Sequence, residues 1–198
     1  MDVPEKIKIP LFPLHAVLFP GGALPLRIFE PRYLDMVSNC MKNETRIGVV
    51  LIKNGNEAGV AAKAHDIGTS SFISYWHKRN DGMLGITLTG EQRFHVLSTE
   101  IQPDQLIVAE VELLPAIKEH NNIHNSEQLI NLLKRILSQL EPPFSTMKTF
   151  YDDMDWVSAR LIELLPLPLK EKQSMLVMKN VCDRVKHLQP LLVGMELL

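Results

Sequence analysis

Residues 7–33 read IKIPLFPLHAVLFPGGALPLRIFEPRY, and this stretch decides the fold. Prolines at 10, 13, 20 and 25 exclude a helix over its first part, because each lacks an N–H and clashes with the preceding turn. The apolar runs between them fit short strands, with a turn at Gly21-Gly22. Proline cannot sit in the middle of a ladder, so the expectation is edge strands, bulges and kinked segments, as in a small irregular barrel. At Glu30 the pattern changes. Pro31 suits the first helical position, where its missing N–H costs nothing. Tyr33, Leu34, Met36, Val37 and Met41 then recur at helical spacing, which predicts a helix over about 31–41.

Strand patterns return downstream. Arg46–Ile52 (RIGVVLI) is apolar and β-branched, as a buried strand requires. Asn80-Asp81-Gly82 is a turn signal and predicts a hairpin of 68–78 with 83–90. Phe94–Glu100 and Leu106–Leu114 read as further strands. A polar stretch, Lys118–Asn125, separates this regime from a helical one. Asn125 and Gln128 have the spacing of a capping box. Leu129, Leu132, Leu133, Ile136, Leu137 and Leu140 form one apolar stripe, which Pro142-Pro143 stops. A second helix is expected from Asp153 or Asp155 to before Pro166, and shorter ones over about 169–176 and 178–190. In the last, Met178, Val181, Cys182, Val185 and Leu188 face inward. The fold class is therefore α+β, with a β-rich domain over 1–115 and a helical subdomain over 123–198.

Composition narrows the function. The 198 residues carry 21 Lys and Arg against 23 Asp and Glu, a net charge of -2. That balance argues against nucleic acid as a partner, since phosphate binders gather basic charge. No run approaches the ~18 uninterrupted apolar residues of a membrane span, and the N-terminus has no apolar run of signal-peptide length. Cys40 and Cys182 form no metal-binding pair, and the default setting is reducing and cytoplasmic.

Several segments resemble a known family. Pro-Leu-Phe-Pro-Leu (10–14), Val-Leu-Phe-Pro-Gly (17–21), Leu-Pro-Leu (24–26) and Ile-Phe-Glu-Pro-Arg-Tyr (28–33) resemble, in that order, the opening signature of the N-terminal, substrate-binding domain of Lon proteases. Gly48-Val-Val-Leu-Ile52, Gly68-Thr69, Gly90-Glu-Gln-Arg-Phe94 (read as a turn), Val108-Ala-Glu-Val111 and Leu165-Pro-Leu-Pro-Leu169 with Lys172-Gln173 continue the similarity along nearly the whole chain. The resemblance implies a PUA-like pseudo-β-barrel followed by an α-helical bundle subdomain. It also implies a stand-alone member of the family that binds apolar or unfolded polypeptide segments or a protein partner. Two alternatives stay open: RNA binding, which PUA-like barrels perform elsewhere, and a hydrolase site without a familiar motif.

The chain is expected not to be an enzyme and to need no cofactor. A Lon ATPase module requires G-x-x-x-x-G-K-[ST] to cradle phosphates. The nearest approach, Gly85–Gly90, continues as Glu91-Gln92, whose acidic residue would repel phosphate. No G-x-S-x-G nucleophile turn is present. No metal site is expected. His120 and His124 have helical ligand spacing but flank Asn121-Asn122 in the polar linker and lack a third ligand. Asp152, Asp153 and Asp155 lack the glycine and closing glutamate of a calcium loop, and read as a helix N-terminus.

Binding candidates remain. Glu30, Arg32 and Tyr33 are the polar part of the strongest signature, and Phe29 beside them is a further candidate. They read either as a tie between helix and barrel, with Glu30 facing the helix N–H groups, or as a binding rim. Arg93 beside Phe94 has the same two readings. Tyr75 and Trp76, next to His77-Lys78-Arg79, form an aromatic and basic hairpin tip that could grip a peptide or stack on a base. The plain reading is a solvated hairpin end. Phe12, Leu14, Leu18 and Phe19 are expected mostly in the core.

Overall fold

Pro10 and Pro13 lie inside a single strand, β1 (Lys6–Leu14), and not between strands. The computed structural model, which describes residues 5–117 and 126–198, shows how a proline-containing strand is paired on both sides. β1 pairs antiparallel with β7 (Ile107–Leu113) over Lys6–Leu11, and parallel with β3 (Ile47–Asn54) over Leu11–Leu14. The Leu113 N–H donates to the Glu5 carbonyl, so by alternation Ile7, Ile9 and Leu11 bond toward β7 while Pro10 faces the other way. There the pairing with β3, which starts at Leu11, has not yet begun. Pro13 turns its missing donor toward the β7 side, where β7 has already ended. Each proline thus sits where no partner asks for an N–H.

The remaining elements are β2 (Ala23–Ile28), α1 (Pro31–Asn43), β4 (Lys63–Ala64), β5 (Ile67–Lys78) and β6 (Leu84–Ile101), followed by α2 (Ser126–Leu137), α3 (Met154–Leu164), α4 (Leu169–Val177) and α5 (Val181–Gly194). The sheet has seven strands in the order β1-β7-β6-β5-β3-β4, and the extra β1–β3 pairing closes a ring. β2 pairs outside that path with β6. The expected hairpin is present. The Gly82 N–H donates to the Arg79 carbonyl and the Arg79 N–H to the Met83 carbonyl, with Gly82 at φ 82°, the left-handed position this turn requires.

One expectation is corrected. Gly90–Phe94 is not a turn between two strands but the middle of the 18-residue β6. The β5–β6 register shifts between Ser70 and Ser71, so Glu91 is an extra residue in a bulge. A bulge bends a long strand without ending it, which lets β6 pair with β2 and β5 first and with β5 and β7 later.

Chain Met1–Pro115 and chain Ala116–Leu198 form two compact units. The β-rich unit has core on both faces of its strands. Phe12, Leu14, Ile47 and Val49 face α1 residues Tyr33, Met36, Val37 and Cys40. Ile9, Leu11, Val50, Val111 and Phe94 pack on the other face. Phe12, Leu14, Leu18 and Phe19 are all buried. In the helical unit Leu129, Leu132, Leu133 and Leu137 of the α2 stripe are buried, with Ile136 and Leu140 half-buried. The Asp153 carboxylate accepts from the N–H groups of Asp155 and Trp156 and caps α3, and the Asn180 side chain caps α5. Arg184 pairs with Asp155, joining α5 to the start of α3, and Arg160 pairs with Glu163 at 2.8 Å. The last helix runs past Pro190 to Gly194, one turn longer than the proline suggested. Asn125 as a cap, the linker Lys118–Asn125, and His120 and His124 lie outside the described residues.

Candidate binding groove

β3 is shorter than both strands that flank it, and that difference makes a groove. Its first residue, Ile47, pairs with Ser71, and β1 meets it only from Leu11. Before that point β1 continues back to Lys6, and β5 continues on to Lys78. Between them is a groove of about 810 Å³, lined by Ile7 and Ile9 of β1, Phe72, Ile73 and Trp76 of β5, Met41 at the end of α1, and the segment Glu44–Arg46 that leads into β3. Glu44 ends α1 with a left-handed backbone, φ 51°, and turns the chain toward β3. Met41, Phe72 and Trp76 remain 40%, 43% and 58% exposed, so the groove offers apolar surface to solvent. Adaptable methionine and flat aromatics suit varied apolar partners.

Charge in the groove is balanced. Lys8 and Arg46 are its cations, Glu44 and Glu91 its anions. Lys8 pairs with Glu100 at 3.3 Å, and the Arg46 Nε meets a Glu91 carboxylate oxygen at 2.6 Å. Each cation thus has a carboxylate partner, although the Lys8 pair is exposed to solvent. No nucleophile is poised there either. The Ser74 hydroxyl donates to the Thr87 carbonyl and accepts from the Thr89 hydroxyl. Burial pushes the Cys40 thiol up, opposed in smaller part by the Thr45 hydroxyl, and a protonated thiol is a poor nucleophile. Among the described residues no group of three His, Cys, Asp or Glu side chains could hold a metal ion.

The residues singled out in the sequence are distributed over three places. Arg32 is buried and fastens loops together. Its Nη1 donates to the Gln105 carbonyl at 2.9 Å and its Nη2 to the Glu57 carbonyl at 3.2 Å. Glu30 pairs with the Arg32 Nε at 3.0 Å and makes no side-chain bond to the helix N–H groups. This corrects the expectation for Glu30: the charged guanidinium two residues along holds the carboxylate as an ion pair, away from the neutral N–H groups. Tyr33 is buried with its ring 4.3 Å from that of Phe12 and 4.6 Å from the Arg32 guanidinium. Phe29 is exposed just beyond β2 and is not part of the groove wall. Tyr75 and Trp76 point to opposite faces of β5. Tyr75 stacks on His77, and Trp76 alone enters the groove.

The Gly90–Phe94 segment has a structural duty at every position. The Gly90 carbonyl accepts from the Gly21 N–H, and its N–H donates to the Gly22 carbonyl. Glu91 holds Arg46. The Gln92 amide donates to the Leu114 carbonyl, and Arg93, buried, donates to the Pro115 carbonyl. Phe94 presses on Gly48 and Gly68, where an added Cβ would lie 2.9 and 2.8 Å from its ring tip.

Of the groove's residues the sequence singled out Trp76, and not Ile7, Ile9, Met41, Phe72 or Arg46, as candidates. The available signal was a length mismatch: seven residues of β-branched run at 46–52 beside a longer strand pattern at 68–78.

Comparison with known proteins agrees with this architecture. The family described as the ATP-dependent protease La (LON) substrate-binding domain matches residues 8–194. A Lon N-terminal domain protein from Xanthomonas campestris superposes with a TM-score of 0.75 at 32% identity, covering 93% of this chain and 98% of that one. The N-terminal domain of a Mycobacterium avium complex Lon protease shares the fold at TM-score 0.56 and 14% identity, covering 91% and 95%. A Lon protease of Buchnera aphidicola is 27% identical over 95% of this chain but only 25% of its own length, so the chain spans about a quarter of such relatives. The matched portion is their substrate-binding domain, and the chain belongs to the Lon substrate-binding domain family.

Proposed function

We propose that this chain is a non-catalytic recognition module that binds apolar or unfolded polypeptide segments or a protein partner. The observation that carries the reading is the family match over residues 8–194, which is to a substrate-binding domain. The groove supports it independently, with exposed Met41, Phe72 and Trp76 and cations already neutralised by carboxylates. Apolar surface of this kind gives weak, salt-insensitive association, whereas RNA binding would draw on unpaired Lys and Arg and weaken steeply with salt. The affinity expected for a small transient interface is micromolar, about -8 kcal/mol. No helix among the described residues is long and apolar enough to cross a membrane, and both cysteines are free, in keeping with action in a reducing compartment such as the cytoplasm.

The proposal includes the absence of turnover. Gly85–Gly90 lies in β6, an extended strand that cannot wrap a phosphate as a glycine-rich loop before a helix does. Repurified protein should neither hydrolyse ATP nor cleave a labelled casein. Binding is tested with a labelled, permanently unfolded polypeptide and a labelled single-stranded RNA at low and moderate salt. Polypeptide binding that survives the salt step supports the reading. Salt-sensitive RNA binding without a polypeptide signal replaces it.

A further inference from the structure

The groove is bounded by more than side chains. Past Ser71, the edge of β5 that faces away from β6 has no strand partner among the described residues. The hairpin bonds between Arg79 and Met83 set the alternation in β5. His77 and Tyr75 bond across to β6, while the backbone N–H and C=O groups of Trp76 and Lys78 face outward. The opposite wall, β1 from Lys6 to Pro10, is also unpaired by β3.

The two edges are not equivalent. Proteins blunt exposed strand edges with proline and lysine, and β1 carries Lys6, Lys8 and Pro10 there. The β5 edge has no proline from Ile67 to Lys78, carries its one lysine at the very end, and displays Phe72 and Trp76 beside its free backbone groups. The register shift between Ile73 and Tyr75 bends this edge at Ser74, so Trp76–Lys78 is its uninterrupted part. Where β3 lies between them, β1 and β5 are two strand spacings apart, about 10 Å, which is room for one more strand.

We propose that an extended polypeptide segment binds in this groove by adding a strand to the β5 edge at Phe72–Lys78, in line with β3. The inference rests on the polypeptide-binding reading above and specifies its mode. The occupant is an uncharged segment with apolar residues at alternate positions. Its backbone bonds to the open edge, and its apolar face lies on Phe72, Trp76 and Met41. Balanced groove charge, with Lys8 and Arg46 held by Glu100 and Glu91, disfavours an acidic or basic segment and a polyanion alike. Main-chain pairing supplies affinity with little demand on sequence, as a module that accepts many unfolded chains requires.

The test uses a fluorescent octapeptide of alternating valine and threonine and two analogues, each N-methylated at alternate amides so that one edge of the peptide strand loses its donors. Strand addition to one edge predicts that one analogue loses affinity about tenfold or more while the other stays within about threefold of the parent, because only one set of amides is bonded. Hydrogen exchange on the same complex should slow at the amides of Trp76 and Lys78. Phe72→Lys should weaken the parent peptide. Exchange on the unaltered protein decides the question if that variant fails to fold. Equal binding by all three peptides, equal loss by both analogues, or no protection at 76 and 78 overturns strand addition. A parent peptide that fails while an unfolded polypeptide binds also overturns it and leaves the recognition reading standing. Failure of both ligands overturns both.

Discussion

Gly68→Ala and Gly48→Ala form a pair in which the structure predicts which substitution is worse. At Gly48 an added Cβ meets only side chains: Leu11 Cδ2 at 2.7 Å, Phe94 Cζ at 2.9 Å and Ile9 Cδ1 at 3.0 Å. Such tips can shift, and overpacking of this kind costs about 1–3 kcal/mol. Restricting the unfolded chain returns about 0.4–1 kcal/mol, leaving a net loss of about 0–2.5 kcal/mol. At Gly68 the Cβ meets the Val49 carbonyl oxygen at 2.3 Å, with Val50 Cγ1 at 2.6 Å and Phe94 Cζ at 2.8 Å behind it. The carbonyl belongs to β3, so relief requires moving that strand away from β5 at the Val49–Thr69 pair. Losing a ladder bond adds about 0.5–1.5 kcal/mol, and the net cost becomes about 0.5–4 kcal/mol. Urea unfolding followed by circular dichroism would read this as midpoints, with a slope of about 1–3 kcal/mol per molar. Gly68→Ala should unfold at the lower urea concentration. Phe94→Leu should rescue part of the loss in Gly48→Ala and little in Gly68→Ala. A Gly68→Ala protein at least as stable as Gly48→Ala would refute the reasoning that the clash with the β3 backbone outweighs the side-chain contacts.

The other expectations concern the ties and the titrating groups. Arg32→Lys keeps the charge but loses the fork, and should cost about 1–3 kcal/mol in urea unfolding because the Glu57 and Gln105 carbonyls lose a donor. Asp153→Ala removes the α3 cap and should lower stability by about 1 kcal/mol, with Asp153→Asn close to unchanged. Burial raises the Cys40 thiol from its ordinary 9.0 and the Tyr33 hydroxyl from its ordinary 10.0. Both folded groups thus hold their protons better than the unfolded chain does, their contribution is complete below pH 9, and stability should fall as pH rises above it. Cys40→Ala should flatten the loss between pH 9 and pH 10. A thiol reagent at pH 8 should label the half-buried Cys182 first, with Cys40 labelled only on unfolding.

Much of the fold was legible because local chemistry and tertiary context agreed. Pro31 at the first turn of α1, Gly82 in the hairpin, Asp153 before α3 and the leucine stripe of α2 each have one reading. The opening prolines were harder. Their compatibility with β1 depends on where the pairings with β3 and β7 begin and end, which is a property of the sheet and not of residues 6–14. Gly90–Phe94 reads as a turn through its resemblance to the family's Gly-x-x-Arg-Phe segment, whereas here the glycine admits the Phe19–Gly22 backbone and Glu91 forms a bulge. The site was less legible than the fold. Glu30 and Arg32 of the strongest signature, and Arg93 of the Gly90–Phe94 segment, hold loops together. The groove instead draws on Ile7, Met41, Phe72 and Trp76, brought together from three distant segments by the late start of β3, and no spacing in the sequence records that.

The most direct test of the account is a competition titration on the unaltered chain, with a labelled unfolded polypeptide and a labelled single-stranded RNA at two salt concentrations. The account predicts micromolar polypeptide binding that changes by less than about threefold between them, is displaced by unlabelled polypeptide and not by RNA, and weakens in Trp76→Ala. Tight RNA binding that collapses with salt, with no polypeptide signal at either concentration, would contradict it.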